Sequence, residues 1–190
     1  MGLILLTLVG ALLVGWVLGG RFTALEHLPV RGWPLLAGML AGVWLGGGAT
    51  LIGLPTALYW LGLATAAACA FAYCVRNRSV FGLGLVGAGL LLNALVIALN
   101  AGMPVSPRAA ARAGVDYAET VADPRHVPAD DVTLSWLGDT IPVPLPVRPE
   151  VVSPGDVLVA AGLGQLVATA MLAAPTSRRG TRSTPRPRSR

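Results

Sequence analysis

Asn93-Ala-Leu-Val-Ile-Ala-Leu-Asn100-Ala-Gly102-Met-Pro104-Val-Ser106-Pro107 is the join at which this chain changes character. An apolar helical pattern carrying two asparagines stops there, and the one long polar segment begins. Upstream, apolar runs of near-membrane length follow one another. Downstream, as far as Ser153, the chain is acidic and rich in proline. The sequence therefore says more about where the protein sits than about what it does.

Composition supports this division. Of 190 residues, 54% are hydrophobic and only 12% are charged, with a mean hydropathy of +0.68. Soluble domains carry about a quarter charged residues, so an all-α integral membrane protein is expected. The 14 basic residues are all arginine. They are dispersed between apolar runs without aromatic platforms, which argues against nucleic acid despite the net charge of +5. Cys69 and Cys74 lie five apart on one expected helix and point to different faces, so neither a disulfide nor a metal pair is expected. Gly2–Leu18 lacks the basic flank of a cleaved signal peptide and reads as a retained first span. Leu6 stands where a myristoylation signal needs Ser or Thr.

Outward from the join, the pattern predicts a bundle of five transmembrane helices within residues 1–174, with spans at about 3–20, 33–52, 56–75, 80–100 and 154–174. Small residues recur at every fourth position, at Ala11, Gly15 and Gly19 and again at Gly38, Gly42 and Gly46. Such stripes let helix backbones approach closely. The run Gly46–Gly48 suggests a kink or a close neighbour. Gly53 and Pro55 make a stop and restart so tight that spans two and three must be antiparallel neighbours. Gly102 near the C′ position and Pro104 beyond it close the fourth span. Ser153 as N-cap, Pro154 at N1 and Asp156 at N3 open the fifth.

Segment 101–153 holds seven acids and four arginines. Ser106-Pro107 should start a short helix reaching Ala113, and Ile141–Pro149 should be extended. Trp136, Leu137 and Ile141 are expected to pin this loop across the helix ends. The tail, 175–190, has six arginines among Pro, Ser, Thr and Gly, a composition that predicts disorder.

Charge then sets orientation. With five spans, Arg21, Arg31, Arg76, Arg78 and the six tail arginines share one side, ten in all. Arg108, Arg112, Arg125 and Arg148, diluted by acids, share the other. The positive-inside rule places the N-terminus and the C-terminus on opposite sides of the plasma membrane, outside and cytoplasmic respectively, with loop 101–153 extracytoplasmic.

Several stretches together resemble a known family: Met1-Gly-Leu-Ile-Leu5, Leu91-Leu-Asn-Ala-Leu-Val-Ile97 running into Asn100-Ala-Gly-Met-Pro-Val105, Leu137-Gly-Asp-Thr-Ile-Pro142, and Ser153-Pro-Gly-Asp-Val-Leu158. The chain is similar over about residues 1–174 to the small bacterial integral membrane proteins grouped as the domain of unknown function 5317 family. That resemblance implies an architecture and supplies no activity, cofactor or catalytic residue.

Candidate chemistry is sparse. Asn93 and Asn100 share one face of span four, and Gln165 and Thr169 share one face of span five, suggesting a polar seam between the two helices. Its plain role is glue; its functional role would be a solute path. No acid, Lys, Arg or His lies deep in a span, which argues against a proton relay or ion-coupled pump. His126, Asp130, Asp131, Asp139 and Asp156 form the one set resembling metal ligands, but their spacing matches no zinc or calcium motif. Gly82-x-Gly84-x-x-Gly87 spells a dinucleotide fingerprint inside a span, with no strand before it, and reads as helix-packing glycine.

No catalytic, cofactor or metal residue is therefore assigned. The expected function is a non-enzymatic scaffold or accessory subunit engaging another membrane protein or the lipid bilayer. The alternative is a small-solute or lipid permease using the seam, and the third reading is an envelope enzyme built on the outer acids and His126.

Overall fold

A computed structural model describes residues 2–51, 56–123 and 125–173. Five long helices dominate: α1 (Gly2–Val17), α2 (Trp33–Leu51), α3 (Thr56–Arg76), α4 (Leu83–Asn100) and α7 (Pro154–Leu172). Between α4 and α7 lie β1 (Met103–Val105), α5 (Pro107–Ala113), α6 (Tyr117–Ala122), β2 (His126–Pro128), β3 (Ile141–Val143) and β4 (Glu150–Val152). Short 3₁₀ turns cover Phe22–His27 and Ser135–Leu137.

Three stretches are long and apolar enough to cross a membrane: Ala57–Arg76, Leu83–Asn100 and Pro154–Leu172. Gly2–Val17 and Trp33–Leu45 are apolar but shorter. The first of these ends early because the chain turns at Gly19, whose φ is +85°. Its 16 residues rise roughly 24 Å, against a hydrocarbon core of about 30 Å. The fourth helix also starts later than residue 80, at Leu83. The turn before it is tight: Val80 N donates to Asn77 O, and Gly82 has a φ of +90°.

The small-residue stripes pack as close contacts in part: Gly19 lies beyond the end of α1 with nothing within 4 Å, and the surroundings of Gly46 lie outside the described residues. Gly38 faces Cys69 and Gly42 faces Ala66, so α2 and α3 run antiparallel. Gly82 meets Gly162, and Gly89 meets Gly155 and Val159, making α4 and α7 antiparallel too. Gly15 lies on Met171 and Gly164 on Thr7, so α1 runs parallel to α7. Cys69 thus faces α2, while the buried Cys74 faces Gly87 of α4. Of the fingerprint-like glycines, Gly82 and Gly87 serve packing, and Gly84 has nothing near it. α2 continues through Gly46–Gly48 to Leu51. The stop at Gly53 and Pro55 and the arginine-rich tail lie outside the described residues.

These pairings bring the connections before α2 and before α4 to one end of the bundle. Segment 101–153 covers the other. The segment is more ordered than a draped loop. β1 pairs in parallel with β2, Met103 opposite His126, through a crossover made by α5 and α6. β3 and β4 form an antiparallel hairpin, Ile141 opposite Val152, which is how Ile141–Pro149 becomes extended. Ser106 caps α5 by accepting from Ala109 N, as its position predicts.

The expected pinning of the cap holds only in part. Leu137 is buried at 7% exposure and pins the cap beside Val96 and Met103, but Trp136 is 65% exposed and Ile141 36%. α4 ends at Asn100 with Ala101 as its C-cap at φ +55°, which puts Gly102 at C′ as expected. Gly102 also lies close to β2, since a Cβ there would stand 2.8 Å from Val127 Cγ1.

Candidate functional site

The cap sits over a cavity of about 260 Å³ bounded by Tyr59, Trp60 and Leu63 of α3, Ile97 of α4, Met103, Arg125, His126, Asp139 and Asp156. β1 organises it. On one edge β2 brings His126 opposite Met103; on the other, Asp139 N donates to Pro104 O at 2.7 Å and Ser106 N donates to Asp139 O at 3.0 Å. Gly138 permits this second contact, since a Cβ there would stand 2.4 Å from Pro104 O. The Leu-Gly-Asp sequence thus has a physical role: anchor, close approach, then a buried acid.

His126 Nε2 and Asp139 Oδ2 are 3.7 Å apart. That is ion-pair range, but it is too long for a hydrogen bond, and both groups are driven toward their neutral forms. Burial pushes the Asp139 carboxyl up to about 8, helped by the negative charges of Asp156 and Glu150. Burial also lowers His126, opposed by Asp123 and reinforced by Arg125. His126 Nδ1 is buried without a hydrogen-bond partner, an arrangement that costs about 1–3 kcal/mol where nothing fills it. Arg125 pairs with Asp123, and its hydrogen bonds hold that carboxyl down at about 2 against the opposing effect of burial. At neutral pH the chamber offers a protonated acid, a neutral imidazole, the Asp156 side chain and a rim guanidinium. This set suits hydrogen bonding to a small polar group.

Of the five residues resembling metal ligands, His126, Asp139 and Asp156 come together around the cavity. Asp130 and Asp131 are exposed in the turn that follows β2 and do not line it. Among the described residues, no three His, Cys, Asp or Glu side chains are grouped to hold a metal ion.

The asparagines are tied into other contacts. Asn93 Nδ2 donates to Asp156 Oδ1 at 2.8 Å, and Ser153 Oγ donates to Asn93 Oδ1 at 2.9 Å. Ser153 and Asp156 also close a reciprocal capping box at the start of α7. Asn100 exchanges hydrogen bonds with both backbone groups of Thr133. Gln165 is exposed, and Thr169 donates to Gln165 O within its own helix. Because α4 and α7 are antiparallel, Asn93 sits at the beginning of α7, ten residues from Gln165. The polar contacts between these helices therefore gather at the cap end and do not form a seam running their length.

Residues 31–168 match a family described as a family of unknown function, DUF5317. The chain belongs to this family. Comparison with curated proteins and with solved structures gives no match. The DUF5317 match covers α2, α3, α4, the whole cap and α7 as far as residue 168, so the chamber and the Asn93 network both fall inside it.

Sequence reasoning missed Tyr59, Trp60 and Arg125 as chamber residues. It also missed Glu150, whose carboxylate accepts from Gly2 N, at 2.9 Å, and from Leu3 N. That contact satisfies two free amides at the start of α1 from 148 residues away. Only the acid's position beside a turn hinted at it.

Proposed function

We propose that this protein is a bacterial plasma-membrane protein with five transmembrane helices, N-terminus outside and C-terminus cytoplasmic, serving as a non-enzymatic accessory subunit. Its folded outer cap docks another membrane protein. The observation that carries this reading is the mounting of the cap. Asn93 with Ser153, Asn100 with Thr133 and Glu150 with Gly2 each hydrogen-bond across helix and cap, which supports a rigid platform over the bundle. On that platform Trp136 (65%) and Val147 (97%) stand exposed, and a large exposed aromatic is the commonest kind of interface anchor.

Outward-facing Leu5, Leu6, Leu13 and Val17 on α1 and Leu40, Val43 and Trp44 on α2 support five crossings. Such rows suit lipid, and local thinning of the bilayer would accommodate both shorter helices. Trp16 and Trp33 lie at one end and Trp60 and Trp136 at the other, as an aromatic belt requires.

The test is hydrodynamic mass after mild solubilisation. The reading predicts a second membrane polypeptide in fixed ratio, released by Trp136→Ala with the melting temperature unchanged. A 19.5 kDa chain running alone in its detergent micelle contradicts it.

A second reading has its own support. His126, with Nδ1 buried and unpartnered and Nε2 3.7 Å from the buried Asp139 carboxyl, favours a small polar solute bound in the chamber. Saturable protection of His126 from a histidine-modifying reagent by such a solute would support that reading.

A further inference from the structure

At the opposite end from the cap, a second cavity of about 470 Å³ lies between the segment before α2, the end of α3, the turn before α4 and the last turn of α7. Its polar lining is Arg31, Arg76, Asn77, Ser79 and Thr169; its apolar wall includes Leu28, Val80, Phe81 and Leu166.

The two arginines are held there. Asn77 is 3% exposed. Its Oδ1 accepts from Arg31 N at 2.7 Å, and its Nδ2 donates to Arg31 O at 2.8 Å and to Tyr73 O at 2.9 Å. A buried amide thereby fixes the backbone that carries Arg31. Arg76 lies across Gly32, where a Cβ would come within 3.1 Å of Arg76 Cδ and where φ is +100°. Only glycine suits that backbone and leaves room for the arginine stem. Among the described residues neither guanidinium forms an ion pair. The one acid in the segments at this end is Glu26.

We propose that this cavity binds the phosphate of an anionic ligand between Arg31 and Arg76. Guanidinium groups match phosphate oxygens in pairs, and the apolar wall suits an acyl chain. A basic pocket between helices at the cytoplasmic headgroup level is the expected place for an anionic phospholipid. The phosphate chemistry stands on the pocket alone; the lipid source rests on the five-span orientation proposed above.

The full-length protein purified in detergent is tested by native mass spectrometry with phosphatidylglycerol, phosphatidylcholine of the same chains, and inorganic phosphate. The expected result is selective retention of phosphatidylglycerol, cut about tenfold or more in Arg31→Gln/Arg76→Gln. The control pair Arg21→Gln/Arg78→Gln, which loses equal charge from the same end, retains it. Phosphate bound by the wild type and lost in the first pair supports the site with a soluble source. Equal retention of both lipids by the wild type without phosphate binding overturns the proposal, and so does equal loss in both arginine pairs. If the first pair unfolds, the wild-type lipid comparison still decides. Because binding is read in detergent, failure here is separate from failure of the orientation, which labelling in intact cells measures.

Discussion

Ser153 Oγ donates to Asn93 Oδ1 at 2.9 Å, joining the start of α7 to the middle of α4 across 60 residues of sequence. The same amide donates to Asp156, and Gly155 leaves the space that lets the two helices meet. With the Asn100–Thr133 and Glu150–Gly2 bonds, this junction ties the cap to the bundle.

Asn93→Leu should therefore destabilise the solubilised protein. It removes a donor and an acceptor and leaves the O–H of the buried Ser153 without an acceptor, although Ser153 Oγ still accepts from Asp156 N, a loss of about 1–3 kcal/mol. Thr65→Leu is the comparison, since Thr65 is exposed and bonds only within its own helix, to Leu61 O. Thermal unfolding in detergent should separate the two clearly; equal melting temperatures would count against the junction.

Gly155→Ala should be worse still. Its Cβ would stand 1.9 Å from Asn93 Oδ1 and 2.8 Å from Gly89 O, and a backbone oxygen cannot move aside cheaply. Gly84→Ala, made where no neighbour lies within 4 Å, should be neutral. A fold that accepted both alanines alike would mean that α4 and α7 do not meet as described.

Asp139 makes stability depend on pH. Its folded carboxyl titrates near 8, far above its ordinary 3.8, so the folded state holds a proton that the unfolded chain releases. The penalty is absent below about pH 4, grows as pH rises, and is complete above about 8, with a ceiling on the order of 5 kcal/mol. His126, lowered by burial, acts in the opposite sense and only on the acid side of its ordinary 6.5. Between pH 6.5 and 8 the melting temperature should fall, and in Asp139→Asn that slope should flatten. An unchanged slope in the variant would place the titrating group elsewhere.

How much of this was legible in the sequence follows from the range of each interaction. Periodicity and helix punctuation are local, so Ser106, Ser153 and Asp156 could be assigned as caps and the small-residue stripes as contact faces. The Asn77 clamp on Arg31 and the Glu150 cap on α1 join residues 46 and 148 apart, and no local pattern encodes them. Asn93 was recognisable as a polar group needing a partner, but the antiparallel register of α4 and α7 decides that the partner is Ser153 and Asp156 and not Gln165. The chamber was half visible: His126, Asp139 and Asp156 stood out by chemistry, while Tyr59 and Arg125 join them only through folding. Trp136 and Leu137 were indistinguishable as anchors, because neighbours in a 3₁₀ turn point to different sides.

The most direct measurement of the central claim uses single cysteines in a Cys69→Ala/Cys74→Ala background, labelled in intact cells by a membrane-impermeant thiol reagent. Asp130→Cys in the cap should be labelled from outside. Thr23→Cys, before α2, and Ser183→Cys, in the arginine-rich tail, should react only after the membrane is opened. Labelling of Thr23→Cys or Ser183→Cys in intact cells, or protection of Asp130→Cys, would contradict five crossings with the acidic cap outside.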